Sequence, residues 1–136
     1  MKNRELAADY VRRSEVRLEA LDVLYRGESW ADVVRESQEV VELTLKGLLR
    51  GRGIETPRIH DVSEILMAER ERLPASLLPQ LEFLCGVSRE LRRDRELAFY
   101  GAEDLTPSGF YTEEDAKKAR QNARQTVELV KPHVQL

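Results

Sequence analysis

Apolar residues recur every three or four positions through most of the chain, and this period is the strongest constraint on its fold. Residues at such spacings lie on one face of an α-helix, whereas a strand with one solvated side would alternate with a period of two. The widest stripe lies between Trp30 and Arg50, and it comprises Trp30, Val33, Val34, Ser37, Val40, Val41, Thr44, Leu45, Leu48 and Leu49. Because this stripe is so broad, it predicts a central helix with neighbours on two sides.

The same period predicts the other helices and their order. A first helix is expected from about Lys2 to Tyr25, a third from Val62 to about Arg72, a fourth starting at Leu73 and Pro74, and a last one between Thr112 and Pro132. Positions 101–109 contain a proline and two glycines and are expected to form a loop. The sequence therefore predicts an all-α fold, an up-and-down antiparallel bundle of four to five helices, in one domain spanning residues 1–136.

Polar residues before three of these helices indicate where the helices begin. Ser29 is followed three residues later by Asp32, which is the spacing of a capping box. Asp61 is expected to cap the third helix, and Thr112 the last one. The three acidic residues after Thr112 also suit the positive end of the helix dipole.

The composition limits the classes of function that are possible. Charged residues make up 35% of the chain, but 22 basic residues against 25 acidic ones leave a net charge of −3. This balance excludes a protein that binds polyanions through bulk positive charge, although it permits a local basic patch.

No metal site and no cofactor are expected, because His60 and His133 are far apart and Cys85 is the only cysteine. Without a signal peptide or a long apolar run, the chain is expected to be cytoplasmic and not to contact a membrane.

The stretch RRDRELAFYG, from position 92, is the best candidate for a binding site. Arg92, Arg93 and Arg95 can offer paired donors to phosphate, because the guanidinium group matches the geometry of phosphate oxygens. Phe99 offers a ring for stacking, and the hydroxyl of Tyr100 adds a donor. The alternative is that these arginines are solvated or paired internally and that the aromatic rings are buried.

His60 and Asp61 form a second candidate. An unperturbed histidine titrates near neutral pH, so His60 is a candidate proton carrier. The simpler interpretation makes Asp61 the cap of the third helix and His60 its neighbour in the loop, and this interpretation is favoured.

Three segments of the chain resemble the HEPN domain family. The run ESQEVVELTLKGLLRGRGIETPRIHDVSEIL is similar to the second helix, loop and following helix of these domains. RELAFYG and the closing YTEEDAKKARQNARQTVELV resemble the end of standalone HEPN proteins. The resemblance implies a helical bundle that forms a homodimer. It also implies a ribonuclease or toxin activity, with a minimal nucleotidyltransferase as a partner and a site completed across the dimer.

The sequence departs from the family's catalytic signature at one position. That signature is an arginine followed after four to six residues by a histidine, whereas here Arg95 is followed after four residues by Tyr100. Tyrosine has a pKa near 10 and exchanges a proton poorly at neutral pH. We therefore expect a non-catalytic module that binds a nucleotide or RNA and a partner protein. The alternative is a toxin-like ribonuclease that uses Arg95 and Tyr100, with His60 supplying the proton.

Overall fold

The computed structural model describes residues 2–56, 58–102 and 106–134, and within these ranges the side chains at positions 2, 93–97 and 99 are outside the description. The α-helices in these ranges are α1 (Lys2–Arg26), α2 (Trp30–Gly51), α3 (Ser63–Ala68), α4 (Leu81–Tyr100), α5 (Pro107–Phe110) and α6 (Glu113–Val130). Short 3-10 helices occupy Arg70–Arg72, Ala75–Gln80 and Lys131–His133. None of the helices in the described ranges is both long and apolar enough to cross a membrane.

The helix α2 lies at the centre of the bundle and packs against α1, α4 and α6. Its apolar stripe is buried from Val33 to Leu49, with Trp30 partly exposed, and Leu45, Leu48 and Leu49 are inaccessible to solvent. Both the all-α fold and the central position of this helix are therefore confirmed. Three helices of the same chain cover this stripe, and this explains why it is so broad.

The middle of the chain differs from the sequence-based prediction. The third helix begins at Ser63 and ends at Ala68, so its expected last turn is a separate 3-10 helix. The fourth helix begins at Leu81 instead of Leu73, because Pro79 stands between them in a 3-10 segment. Proline lacks the donor that an α-helix interior needs and disfavours the α conformation in the residue before it. The expected loop at 101–109 also contains the start of the short helix α5.

The predicted cap at Thr112 is present, as part of a capping box, whereas the capping box predicted at Ser29 is absent. The hydroxyl of Thr112 accepts from the backbone N–H of Asp115 at 3.3 Å, and the Asp115 carboxylate accepts from the backbone N–H of Thr112 at 2.9 Å. The prediction for Ser29 was wrong, because no side chain caps the start of α2. The Ser29 hydroxyl donates to the Asp32 carboxylate at 2.5 Å, and this contact replaces a bond to the backbone.

Candidate functional site

The arginine-rich stretch belongs to the second half of α4, which remains helical as far as Tyr100. The side chains of Arg89 and Arg92 are exposed, and within the described part of the chain neither forms an ion pair. Tyr100 is 77% exposed, whereas the neighbouring Ala98 is 1% exposed and belongs to the core. The middle of α4 therefore carries accessible guanidinium groups, and its end carries an accessible tyrosine ring, on a helix that the core holds in place.

The predicted site is described only in part. Its members with described side chains are Arg92 and Tyr100, while the side chains of Arg93, Arg95 and Phe99 lie outside the described residues. Arg92 and Tyr100 are eight positions apart, which corresponds to roughly 12 Å along an α-helix. A ligand that extends along the helix can therefore contact both residues more readily than a single phosphate group can.

The structure places His60 away from Tyr100. The adjacent Asp61 accepts from the Ser88 hydroxyl at 3.1 Å, which fixes this loop beside the first half of α4. Ser88 precedes Tyr100 by twelve positions, or roughly 18 Å of helix. The Asp61 carboxylate also accepts from the backbone N–H of Ser63 at 2.9 Å, at the start of α3. The prediction that Asp61 caps this helix was wrong, because Val62 is the N-cap residue and no side chain caps the start of α3.

His60 is bound instead to a half-buried carboxylate on α2. Its Nδ1 lies 2.7 Å from Oε1 of Glu42, and the same oxygen accepts from Nε2 of Gln38 at 2.8 Å. Oε2 of Glu42 accepts from Nζ of Lys46 at 2.9 Å. Burial by itself raises the pKa of Glu42, but the donors of Lys46, Gln38 and His60 outweigh burial and hold the pKa below its usual value. This cluster ties the loop that carries His60 to the central helix.

Because the pKa of Glu42 is lowered, we expect its contribution to the free energy of unfolding to depend on pH. A carboxyl group whose pKa is lower in the folded protein than in the unfolded chain stabilises the folded protein at pH values above the pKa of the unfolded chain. This stabilisation is lost as the pH falls through the pKa of the folded protein. We expect Glu42→Gln to lower the free energy of unfolding by about 1 kcal/mol at pH 7, a small effect because the site is partly solvated. The difference from the wild type should begin to shrink as the pH falls below the unfolded pKa, about 4.3, and should vanish only below the folded pKa, which is lower still.

Urea denaturation at a series of pH values from 7 to 3 measures this effect. Glu64→Gln is the matched control, because Glu64 is an exposed carboxylate on α3. A difference between Glu42→Gln and the wild type that stays constant over the whole pH range would contradict the prediction.

A cleft that the sequence did not indicate lies beside the start of the arginine-rich stretch. It has a volume of about 290 Å³ and is lined by Val34, Glu90, Leu91, Phe110, Tyr111, Asp115, Lys118, Ala119 and Asn122. Nζ of Lys118 pairs with Oε1 of Glu90 at 3.0 Å, and the Asp115 carboxylate is occupied by the cap of α6. The lining therefore has no excess of positive charge to hold a phosphate. No periodic pattern reveals such a cleft, since its residues come from different helices.

Cys85 does not have the environment of a nucleophile. It is buried, and burial raises the pKa of its thiol, which disfavours the reactive thiolate. Its Sγ lies 3.5 Å from the carbonyl oxygen of Ser63 and contributes to the packing of α3 on α4. Across the described ranges, histidine, cysteine and acidic side chains do not gather in groups of three or more that could hold a metal ion.

Comparisons with known proteins give two matches. A family model described as the HEPN domain matches residues 7–133. Among solved structures, the crystal structure of an archaeal HEPN homologue superposes with a TM-score of 0.73 and covers 95% of this chain and 98% of its own. Its sequence is 24% identical, so this likeness shows the fold alone. A comparison with curated proteins found no match.

Proposed function

The chain belongs to the HEPN domain family, and from that premise we propose that it is a non-catalytic module that binds the phosphates of RNA or of a nucleotide. The binding residues are Arg92, Arg93 and Arg95, with Phe99 and Tyr100. The observation that supports this most strongly is the exposed guanidinium of Arg92, which has no ion-pair partner within the described ranges.

The electrostatics of α4 favour an anionic ligand at this end. An arginine that is already paired with a carboxylate has its charge neutralised, whereas an unpaired one can exchange water for phosphate oxygens. Arg89 precedes Arg92 by about one turn and is also exposed, so two guanidinium groups lie close together on α4. The distance of roughly 12 Å between Arg92 and Tyr100 suits an RNA strand better than a mononucleotide, because a strand presents several phosphates in a row.

The same geometry argues against turnover. General acid–base catalysis needs a group that exchanges protons near the working pH and lies within hydrogen-bond reach of the reacting atoms. His60 is engaged by Glu42, in a loop that lies beside the opposite half of α4 from Tyr100. We therefore propose that this chain binds RNA without cleaving it.

The test is the binding of a labelled single-stranded RNA, and separately of ATP, at low and at moderate salt. Arg92→Ala should weaken RNA binding roughly tenfold, because a charge-assisted contact is lost. It should also reduce the slope of log Kd against log salt by about one. Arg4→Ala is the matched control, since Arg4 is an exposed arginine in the first turn of α1. That end of α1 packs near Gly51 at the end of α2, whereas Glu90 and Leu91 of α4 lie near Val34 at the start of α2.

Three results would contradict this function. The first is an absence of RNA and ATP binding at low salt. The second is an equal loss of binding in Arg92→Ala and Arg4→Ala. The third is rapid RNA cleavage that Tyr100→Phe abolishes, which would establish the ribonuclease with a variant site at Arg95 and Tyr100.

We further propose that the module acts as a homodimer and together with a minimal nucleotidyltransferase. Two-fold pairing is the most common way in which soluble chains of this size bury additional surface. Light scattering at micromolar concentration tests the homodimer, and a monomer would contradict it. Inspection of the neighbouring genes tests the second partner, and mixing the two purified proteins on a sizing column tests the complex.

A further inference from the structure

A second groove, the α1–α2 groove, lies between the first two helices. It has a volume of about 300 Å³, and its lining includes Tyr10, Arg13, Arg17, Glu39, Glu42 and Lys46. This volume is at the lower end of the range for small-molecule sites, roughly 300 to 1,000 Å³. No residue of α4 belongs to the lining that the structure describes, so the α1–α2 groove is separate from the proposed RNA site.

The two carboxylates of the α1–α2 groove are already bound by other side chains. Glu42 is held in the cluster that ties His60 to α2, and Glu39 accepts from Nη1 of Arg35, one turn before it. Burial by itself raises the pKa of Glu42, yet this pKa lies below its usual value because the groups that donate to the carboxylate outweigh burial. Positive charge and N–H donors therefore dominate around this carboxylate.

Two of the basic side chains keep donors that no carboxylate of the described ranges occupies. The ammonium of Lys46 has three N–H groups and donates one of them to Glu42, at 2.9 Å. Arg17 donates through Nη1 to Glu36 at 2.6 Å, which leaves its Nη2 and Nε for another acceptor. These ion pairs therefore hold the two cations in place without using all of their donors.

Arg13 is the least neutralised cation of the α1–α2 groove. Within the described part of the chain it pairs only with Asp9, whose Oδ2 is 3.9 Å away, too far for a hydrogen bond. Asp9 is also shared with Arg12, which lies closer, at 3.5 Å. The guanidinium carbon of Arg13 lies 5.9 Å from the ring centroid of Tyr10. A contact with an aromatic ring cancels no charge, so Arg13 retains its charge for an anion.

Two further groups add to this donating surface. The hydroxyl of Tyr10 has no hydrogen-bond partner among the described residues. Arg50 forms no ion pair among them either, and its Nε is buried without a partner. Arg50 follows Lys46 by four positions on α2, so the two cations share one face of this helix.

We propose that the α1–α2 groove binds a small phosphate monoester, with Arg13, Lys46 and the Tyr10 hydroxyl as donors to the phosphate group. The fork of a guanidinium matches a pair of phosphate oxygens, and the ammonium approaches the anion from the other helix. A phosphate group alone does not fill a groove of this volume, so we expect the carbon skeleton of the ester to occupy the rest. The whole chain has a net charge of −3, so the attraction is confined to this groove.

A heteronuclear NMR titration of the full chain with glycerol phosphate, and separately with inorganic phosphate, tests the site. We expect saturable shifts of the backbone amide signals of Tyr10, Arg13 and Lys46 with both phosphates, and none with sodium chloride at equal ionic strength. Arg13→Gln should weaken the binding of glycerol phosphate roughly tenfold, because a charge-assisted contact is lost. Tyr10→Phe should weaken it about threefold, because one neutral donor is lost.

Arg12→Gln is the matched control and should leave the Kd for glycerol phosphate unchanged. Arg12 is exposed, is the neighbour of Arg13 and pairs with the same Asp9, but it does not line the α1–α2 groove. Circular dichroism of each variant should show the helix content of the wild type, because both arginines are exposed.

The absence of saturable shifts with either phosphate, or equal losses in Arg12→Gln and Arg13→Gln, would overturn the site. Binding of inorganic phosphate without glycerol phosphate would indicate an adventitious ion only and would also overturn it. Shifts confined to α4 would overturn this groove and assign phosphate binding to the arginines there. Arg13→Gln should keep the RNA affinity of the wild type, and Arg92→Ala its affinity for glycerol phosphate, so the failure of either proposal leaves the other standing.

Discussion

Leu48→Ala is expected to lower the free energy of unfolding by about 3 to 4 kcal/mol, one of the largest losses available to a single substitution in this chain. Leu48 lies near the end of α2 and is 0% exposed, on a helix that three others cover. Removing its branched end costs the transfer free energy of the lost carbons and leaves a cavity that packed neighbours cannot fill.

Urea denaturation of the wild type and the variant measures this loss. Leu78→Ala is the matched control, because Leu78 is 41% exposed and its truncation should cost less than about 1 kcal/mol. Equal losses at the two positions would contradict the placement of Leu48 in the core.

Gly47→Leu is expected to lower the free energy of unfolding by about 2 to 3 kcal/mol through overpacking. The Cβ alone would lie 3.2 Å from Cβ of Tyr10 and 3.3 Å from the backbone oxygen of Ala7, and the rest of the leucine has no room between α1 and α2. A backbone atom cannot move aside as the end of a flexible side chain can. The two helices must therefore separate, and the contacts along their interface are lost.

Thermal and urea unfolding measure the stability of Gly47→Leu and of Gly86→Ala. The comparison separates the effect of steric overlap from the effect of helix propensity. Both substitutions remove a helix glycine, but only the first meets atoms of the same chain. Gly86→Ala should leave the stability of the monomer unchanged or raise it by up to about 1 kcal/mol. A Gly47→Leu variant as stable as the wild type would show that α1 and α2 do not approach closely there.

The long helices could be predicted from the sequence because burial imposes a period on them. The stripe on α2 and the buried alanines at 116, 119 and 123 on α6 follow the 3.6-residue repeat, and the structure buries them. The Thr112 cap was predictable because the capping residues are neighbours in sequence and need no tertiary partner. Ser29 has the same local pattern, but its hydroxyl binds the Asp32 carboxylate, and the sequence offers no means of choosing between these two partners.

The candidate site was predictable only as a list of residue types. Arginines beside an aromatic pair indicate an anion-binding surface, and Arg92 and Tyr100 are exposed on α4 as that function requires. His60 is different, because its partner Glu42 stands eighteen positions earlier and reaches it only through the packing of the loop on α2. The role of a histidine depends on such a partner, and its position in the chain does not reveal it.

The sequence by itself determined the helical class, the central helix and the start of α6, because each follows from spacings shorter than two helical turns. Only the tertiary structure decided how Gly47 and Gly86 differ, since the two glycines occupy similar helix interiors and differ only in what lies opposite them. It also decided that the apolar stripe of α2 is used within the chain, because α1, α4 and α6 cover it. The physical reason is the same in each case: packing brings together side chains that are far apart in sequence, and no local period records which ones meet.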